Sequence, residues 1–327
     1  MIFRVLFYFA IFSISLSNIA SSEELLDRSN IRSKVDYLFF NKDFIGVDAL
    51  ADEYRDTRAR TDSGVWKLAQ LYYGLGDSIK YTRIASDKKQ LDNITKEYLE
   101  KHPNSPTAII ARSKFFVALA WSYRGGGVAS TVPDDAWEPF YENLKLAQSL
   151  LQEHKNIASS DPHWYALNIE IQKGLGRSQG NLAASIAEGV QVFPYYYDIY
   201  FQAASALSPF WNGSRIHIDA FARSAAESTK DIDGNSVYAR IYWSLKKGLR
   251  KSEKLFRDYD VDWEKMKRGM EDIMVQYPDQ WNIVNFAVFS CEAGDVDTTR
   301  DYIEQIRTDK YHFLWKKDIS FEKCSNL

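Results

Sequence analysis

Apolar residues recur every three or four positions over most of the chain, and strict alternation is nearly absent. That is the periodicity of amphipathic helices and not of strands. The pattern predicts helices near 24–40, 43–57, 63–75, 87–101, 106–123, 135–157, 162–175 and 180–192, then 195–208, 215–228, 236–249, 261–276, 279–292 and 296–307. In the segment 106–123, Ala108, Ala111, Phe115, Leu119 and Tyr123 share a face. In 135–157, Phe140, Leu144, Ala147 and Leu151 do the same, behind Asp135 and Glu138 in a capping-box spacing.

Punctuation supports these segments. Ser105-Pro106 and Asp161-Pro162 each set a capping side chain before a proline suited to the first helical position. Phe193-Pro194 and Tyr277-Pro278 mark similar breaks, and Pro162 and Pro194 lie 32 residues apart, near the length of one helical hairpin. One small pattern occurs twice: Leu68-Ala69-x-x-Tyr72-x-x-x-Gly76-Asp77 and Phe286-Ala287-x-x-Ser290-x-x-x-Gly294-Asp295. The small Ala admits a neighbouring helix, and the Gly is placed to end the helix in a left-handed cap. Short loops between paired apolar faces imply antiparallel packing. The expected fold is all-α, an irregular array of antiparallel helical hairpins forming one domain over 23–327. Gly125-Gly126-Gly127 and Trp211-Asn212-Gly213-Ser214 interrupt its middle.

The first residues read differently. Arg4 supplies a short positive region, 5–16 is apolar, and Ala20 and Ser22 stand at the −3 and −1 positions for cleavage before Glu23. The expectation is a signal peptide over 1–22 and a periplasmic or secreted protein, with no stable membrane insertion after cleavage; the apolar run is short for a bilayer-spanning anchor. Cleavage moves the net charge from −3 to −4, and neither value describes a nucleic-acid-binding chain. Export raises the question of a disulfide. Helical spacing places Cys291 toward a core, and Cys324 sits in a polar tail, so the expected state is one buried and one exposed thiol, with pairing left open.

Composition adds one unusual property. The chain holds 9 Trp, 20 Tyr and 19 Phe. Most are expected as bulky wedges in the core, and some as the walls of a groove. Ala120-Trp121-Ser122-Tyr123-Arg124-Gly125-Gly126-Gly127 reads as a helix C-terminus closed by glycine, and also as a binding loop in which Arg124 meets a carboxylate or phosphate. Gly-rich phosphate loops precede a helix, so this run is no nucleotide signature. Tyr238-Ala239-Arg240-Ile241-Tyr242-Trp243 reads first as packing, and Pro209–Ser214 as an aromatic-anchored turn. Asn93 and Asn212 head glycosylation sequons. The acidic runs from Asp258 and Asp231 start like calcium loops, but Gly269 and Tyr242 stand where the bidentate Glu belongs. Zinc-protease, Cys-x-x-Cys, nucleophile-elbow and P-loop motifs are missing, and the five histidines stand at no metal-ligand spacing. No catalytic residue, metal or cofactor is expected.

Ala120-Trp121-x-x-Arg124-Gly125-x-Gly127, Trp137-x-x-Phe140, Asp161–Tyr165, Pro209-x-Trp211-x-Gly213-Ser214 and Tyr238-Ala239-Arg240 together resemble a bacterial family known as domain of unknown function 4034, similar to tetratricopeptide-type helical proteins. The resemblance spans about residues 60–310 and implies an α-solenoid of helical hairpins with no stated activity. It favours Trp121, Arg124, Trp164, Trp211 and Arg240 as a shared structural or binding centre. With Gly125, Gly127 and Tyr238 they make up the candidate ligand-binding set. Two functions are expected from this. One is a non-catalytic scaffold for a protein or peptide of the cell envelope. The other is a small-ligand binder or enzyme whose aromatic and Arg-bearing pocket takes an anionic or sugar-like ligand.

Overall fold

A computed structural model describes residues 24–81, 85–176, 179–250, 252–315 and 319–326. The expected signal peptide lies outside the described residues. Among them the protein is all-helical, with eighteen α-helices and no strand. In order these are α1 (Glu24–Phe40), α2 (Phe44–Asp56), α3 (Lys67–Tyr81), α4 (Ala85–Lys101), α5 (Pro106–Arg124) and α6 (Trp137–Glu153). Next come α7 (Lys155–Ala158), α8 (Pro162–Gly174), α9 (Gln179–Val192), α10 (Tyr197–Ala206), α11 (Arg215–Ser228) and α12 (Lys230–Asp233). The last are α13 (Ser236–Lys246), α14 (Leu255–Asp258), α15 (Trp263–Gln276), α16 (Gln280–Ala293), α17 (Val296–Ile303) and α18 (Phe321–Ser325). No described helix is long and apolar enough to cross a membrane.

The helices are of two kinds. α15 buries Met266, Gly269, Met270 and Ile273, a single stripe at helical spacing. α16 buries every residue from Trp281 to Ser290, and α8 is nearly as enclosed. A helix apolar all round must have neighbours on all sides. The enclosed helices succeed one another: α3 packs on α5, α5 on α8, α8 on α10 and α10 on α13. Striped helices flank them, α4 and α6 against α5, α9 against α8, and α15 between α13 and α16. One continuous apolar cluster runs from Ile31 to Tyr302, with a satellite of Trp281, Val284 and Tyr311.

The turn between α2 and α3 draws distant helices together. Arg60 and Trp66 pair across it. Trp66 Nε1 donates to Tyr195 O at 2.8 Å, and the Arg60 guanidinium lies 3.9 Å over the Trp66 ring. At its tip, Ser63 O accepts from Arg240 Nη2 and from Asn282 Nδ2, both at 3.3 Å. Gly64 beside it has φ 85°, and a Cβ there would meet Arg240 Nη2 at 2.6 Å. Only glycine meets both the conformation and the space.

Capping obeys the local sequence. Ser105 Oγ accepts from Ala108 N and Asp161 Oδ1 from His163 N, each with proline at the first helical position. Other expectations are corrected. Gly294, at φ 80°, closes α16 in a left-handed cap, but α3 runs on past Gly76 to Tyr81. Gly76 lies within the helix, where a Cβ would sit 3.2 Å from Lys114 Cε, and marks no turn. The segment 135–157 divides at His154 into α6 and α7, and α6 begins at Trp137 with no side-chain cap, so Asp135 and Glu138 form no capping box. The helix expected from 195 begins at Tyr197, because Tyr196 is extended. Cys291 and Cys324 are joined by a disulfide with Cα atoms 5.9 Å apart, in place of two thiols. The tail folds back because α18 packs on α17, which a polar sequence of a few residues does not announce.

Candidate functional site

α5, α6, α8 and the turn after α10 are among the elements that border one cavity. The last turns of α5 supply Trp121 and Arg124, the start of α6 supplies Trp137 and Phe140, and the end of α8 supplies Gln172 and Lys173. The fourth wall is a single turn at Pro209–Trp211 after α10, ended by Asn212 in the left-handed conformation at φ 63°. The space measures about 1320 Å³. That exceeds the roughly 300–1,000 Å³ of an ordinary small-molecule cleft.

Arg124 is the centre of one wall. Its guanidinium carbon lies 5.3 Å from the Trp211 ring centroid, 5.4 Å from Trp121, 5.5 Å from Trp137 and 5.9 Å from Phe140. The rings hold each other edge to face, Trp121 against Phe140 at 5.1 Å and against Trp211 at 5.7 Å. This geometry suits their quadrupoles and fixes the ring positions. Lys173 joins from the floor, its Nζ 5.4 Å from the Trp211 centroid and 3.1 Å from Ser205 Oγ, to which it donates.

The cavity's electrostatics are one-sided. Arg124, Lys173 and Arg250 stand on its walls, and no Asp or Glu is among the described lining residues. Burial lowers the pKa of Arg124, with Tyr141 opposing. Lys173 is lowered by burial first; Glu170 raises it and the nearby Arg124 adds to the lowering. Two cations in apolar surroundings, with no described carboxylate lining this cavity, favour an incoming anion. Three buried polar atoms here also lack any partner: Trp121 Nε1, Arg124 Nε and Gln172 Oε1. Buried polar groups are ordinarily paired, so their gathering at one cavity marks unmet hydrogen-bonding capacity.

The glycine run works otherwise than expected. Gly125, at φ 72°, closes α5 by donating its N–H to Trp121 O at 2.8 Å. The carbonyls of Gly125 and Gly127 each accept from Arg124 Nη1 at 3.1 Å. The loop therefore aims Arg124 into the cavity, and the Gly125 N–H is already engaged.

Of the candidate set, Trp121, Arg124, Gly125, Gly127 and Trp211 meet around this space. Trp164 does not: it is buried in the core and its Nε1 donates to Leu151 O at 3.1 Å. Tyr238 is also buried, giving its hydroxyl proton to Asp219 Oδ1 at 2.9 Å and accepting from Asp262 N at 3.0 Å. Arg240 lies apart, between Tyr197 and Tyr277, and lines a second chamber of about 370 Å³. Sequence reasoning missed Gln172 and Lys173, which read as an ordinary helix end. Trp137-x-x-Phe140 stood out as a spacing, but nothing local tied it to Arg124. Among the described residues no group of three His, Cys, Asp or Glu could hold a metal ion. Comparison with known protein families, with curated proteins and with solved structures found no match.

Proposed function

We propose that the protein binds a small, ring-bearing anion, such as an acidic sugar or sugar phosphate, in the cavity around Arg124. The observation that carries this reading is the set of unpartnered buried atoms, Arg124 Nε, Trp121 Nε1 and Gln172 Oε1, on walls with cations and no described carboxylate. A sugar offers flat apolar faces to indole rings and hydroxyls to a donor and an amide, while its anionic group meets the guanidinium. A concave space walled by rings and cations favours a small ligand over a protein or peptide partner. The cavity sits in an array of helical hairpins of the tetratricopeptide kind, carried by an exported single-domain chain. The Cys291–Cys324 bond supports the export reading, since disulfides persist in oxidising compartments.

Intrinsic fluorescence tests the assignment, because Trp121, Trp137 and Trp211 border the site. Glucuronate or glucose 6-phosphate is expected to give a saturable change that glucose does not, and Arg124→Met to abolish it with an unchanged melting temperature. No saturable response to either anion, at concentrations up to the millimolar range, overturns the reading.

A further inference from the structure

The second chamber adjoins the first. Lys173, Phe201, Ser205 and Ser244 line both, so the aromatic cavity and the inner chamber share a wall, with Lys173 at the junction. The inner chamber is lined quite differently. Arg28, Arg32, Arg240 and Lys247 join Lys173 there, against Glu170 and Asp198. Arg28 is already paired with Glu24, and Asp198 accepts a hydrogen bond from Tyr73. Arg32 is held by Gln70, so the balance turns on Lys173, Arg240 and Lys247 against Glu170 and Asp198, and stays cationic. Burial pulls Lys247 down in pKa, and Arg28 and Arg32 repel its charge further, with Asp198 opposing. A gathering of like charges is unfavourable unless something of opposite sign enters.

A second, independent observation points the same way. Arg240 and Asn282 are at least nine-tenths buried, and both line the chamber. Arg240 Nε and Asn282 Oδ1 have no partner. Arg240 Nη2 and Asn282 Nδ2 are held by Ser63 O, so both side chains are oriented and each keeps one polar atom unmet.

We propose that the inner chamber is the second half of a bipartite site, holding a second anionic group of the ligand whose ring occupies the aromatic cavity. This rests on the ring-and-anion reading of the outer cavity and adds the ligand's class: a sugar or similar ring with two anionic groups at opposite ends. Arg124 meets the first group, Lys247 and Arg240 meet the second, and Lys173 contacts both.

Calorimetry on the full-length mature chain with glucose 6-phosphate and glucose 1,6-bisphosphate tests it. The bisphosphate is expected to bind at least tenfold more tightly. Lys247→Glu is expected to remove that gain while weakening glucose 6-phosphate far less, with a thermal melt to confirm folding. Lys173→Met is expected to weaken both ligands, with a thermal melt to confirm folding. Equal affinity for the two sugars, or a gain that survives Lys247→Glu, overturns the bipartite site and leaves the outer-cavity reading standing. No binding of either sugar overturns both.

Discussion

Two regions of the molecule use the same kinds of side chain to opposite ends. Around Asp161, at the start of α8, every described polar group is met. Asp161 Oδ2 accepts from Arg55 Nε at 3.0 Å, Arg55 Nη2 at 2.7 Å and the Tyr72 hydroxyl at 2.6 Å. Arg55 also reaches Asp52 and Thr107, and His163, stacked on Tyr72, shares a hydrogen bond of 2.9 Å with the Tyr196 hydroxyl. Around Arg124, at the end of α5, an arginine again meets aromatic rings, but no carboxylate completes it and three polar atoms stay unpaired. A satisfied buried network rigidifies a fold, whereas an unsatisfied one holds interaction in reserve. An arginine among aromatics therefore marks a site only when its hydrogen bonds are left open.

That contrast makes the first region costly to disturb and the second cheap. Asp161→Ala is expected to lose about 3–5 kcal/mol, because it removes the buried partner shared by Arg55 and the Tyr72 hydroxyl and leaves Arg55 only the exposed Asp52 as a charged partner. Chemical denaturation measures this, and a loss under about 1 kcal/mol dissolves the comparison. Trp164→Ala should cost about 3–5 kcal/mol by leaving a core cavity, and Trp211→Ala only about 1–2 kcal/mol, since that ring packs at a cavity wall. Equal losses in the two melts count against an open site.

Acid sharpens the comparison further. Burial chiefly, and then Lys114, holds His163 well below its ordinary pKa, so the folded protein keeps this ring neutral. The unfolded chain takes up the proton below about pH 6.5, so stability is full above that pH and falls as the pH drops beneath it. The slope from this one group approaches about 1.4 kcal/mol per pH unit. His163→Gln should flatten the curve between about pH 6.5 and about pH 5, and an unaltered curve refutes the role. Asp295 acts in a lower window. Burial works against its charge, but hydrogen bonds from Trp263, Thr298 and Lys267 hold the carboxyl far below its usual value. Its contribution is present above about pH 4 and fades as acid approaches the folded value. The smallest effect belongs to Arg124→Met, expected to shift stability by less than about 1 kcal/mol while ligand binding is lost.

The helices were legible in the sequence because their signals are local. The stripe at Met266, Met270 and Ile273 and the caps at Ser105 and Asp161 lie within a turn or two of the structure they specify. Gly294 was readable as a stop, but its twin Gly76 was not separable from it, since both stand in the same local pattern and α3 runs through Gly76. The site divides in the same way. Trp121, Arg124 and Trp211 stood out by composition, yet Trp164 and Tyr238 looked alike and proved to be core, each with its polar tip satisfied. Lys173 was invisible because only the approach of α5 and α10 gives an ordinary lysine its setting.

Ser63 O, which bonds to residues 177 and 219 positions along the chain, also bears on how the molecule folds. In an open repeat array each unit answers only to its neighbours, so ends fray independently and folding can begin anywhere. Here an early turn is completed by groups that appear near the end of the polypeptide. Such remote closure slows the search and makes the transition more collective. Deleting α16 together with α17 and α18 is therefore expected to loosen the turn before α3, far off in sequence, and amide exchange at 60–66 can register that response.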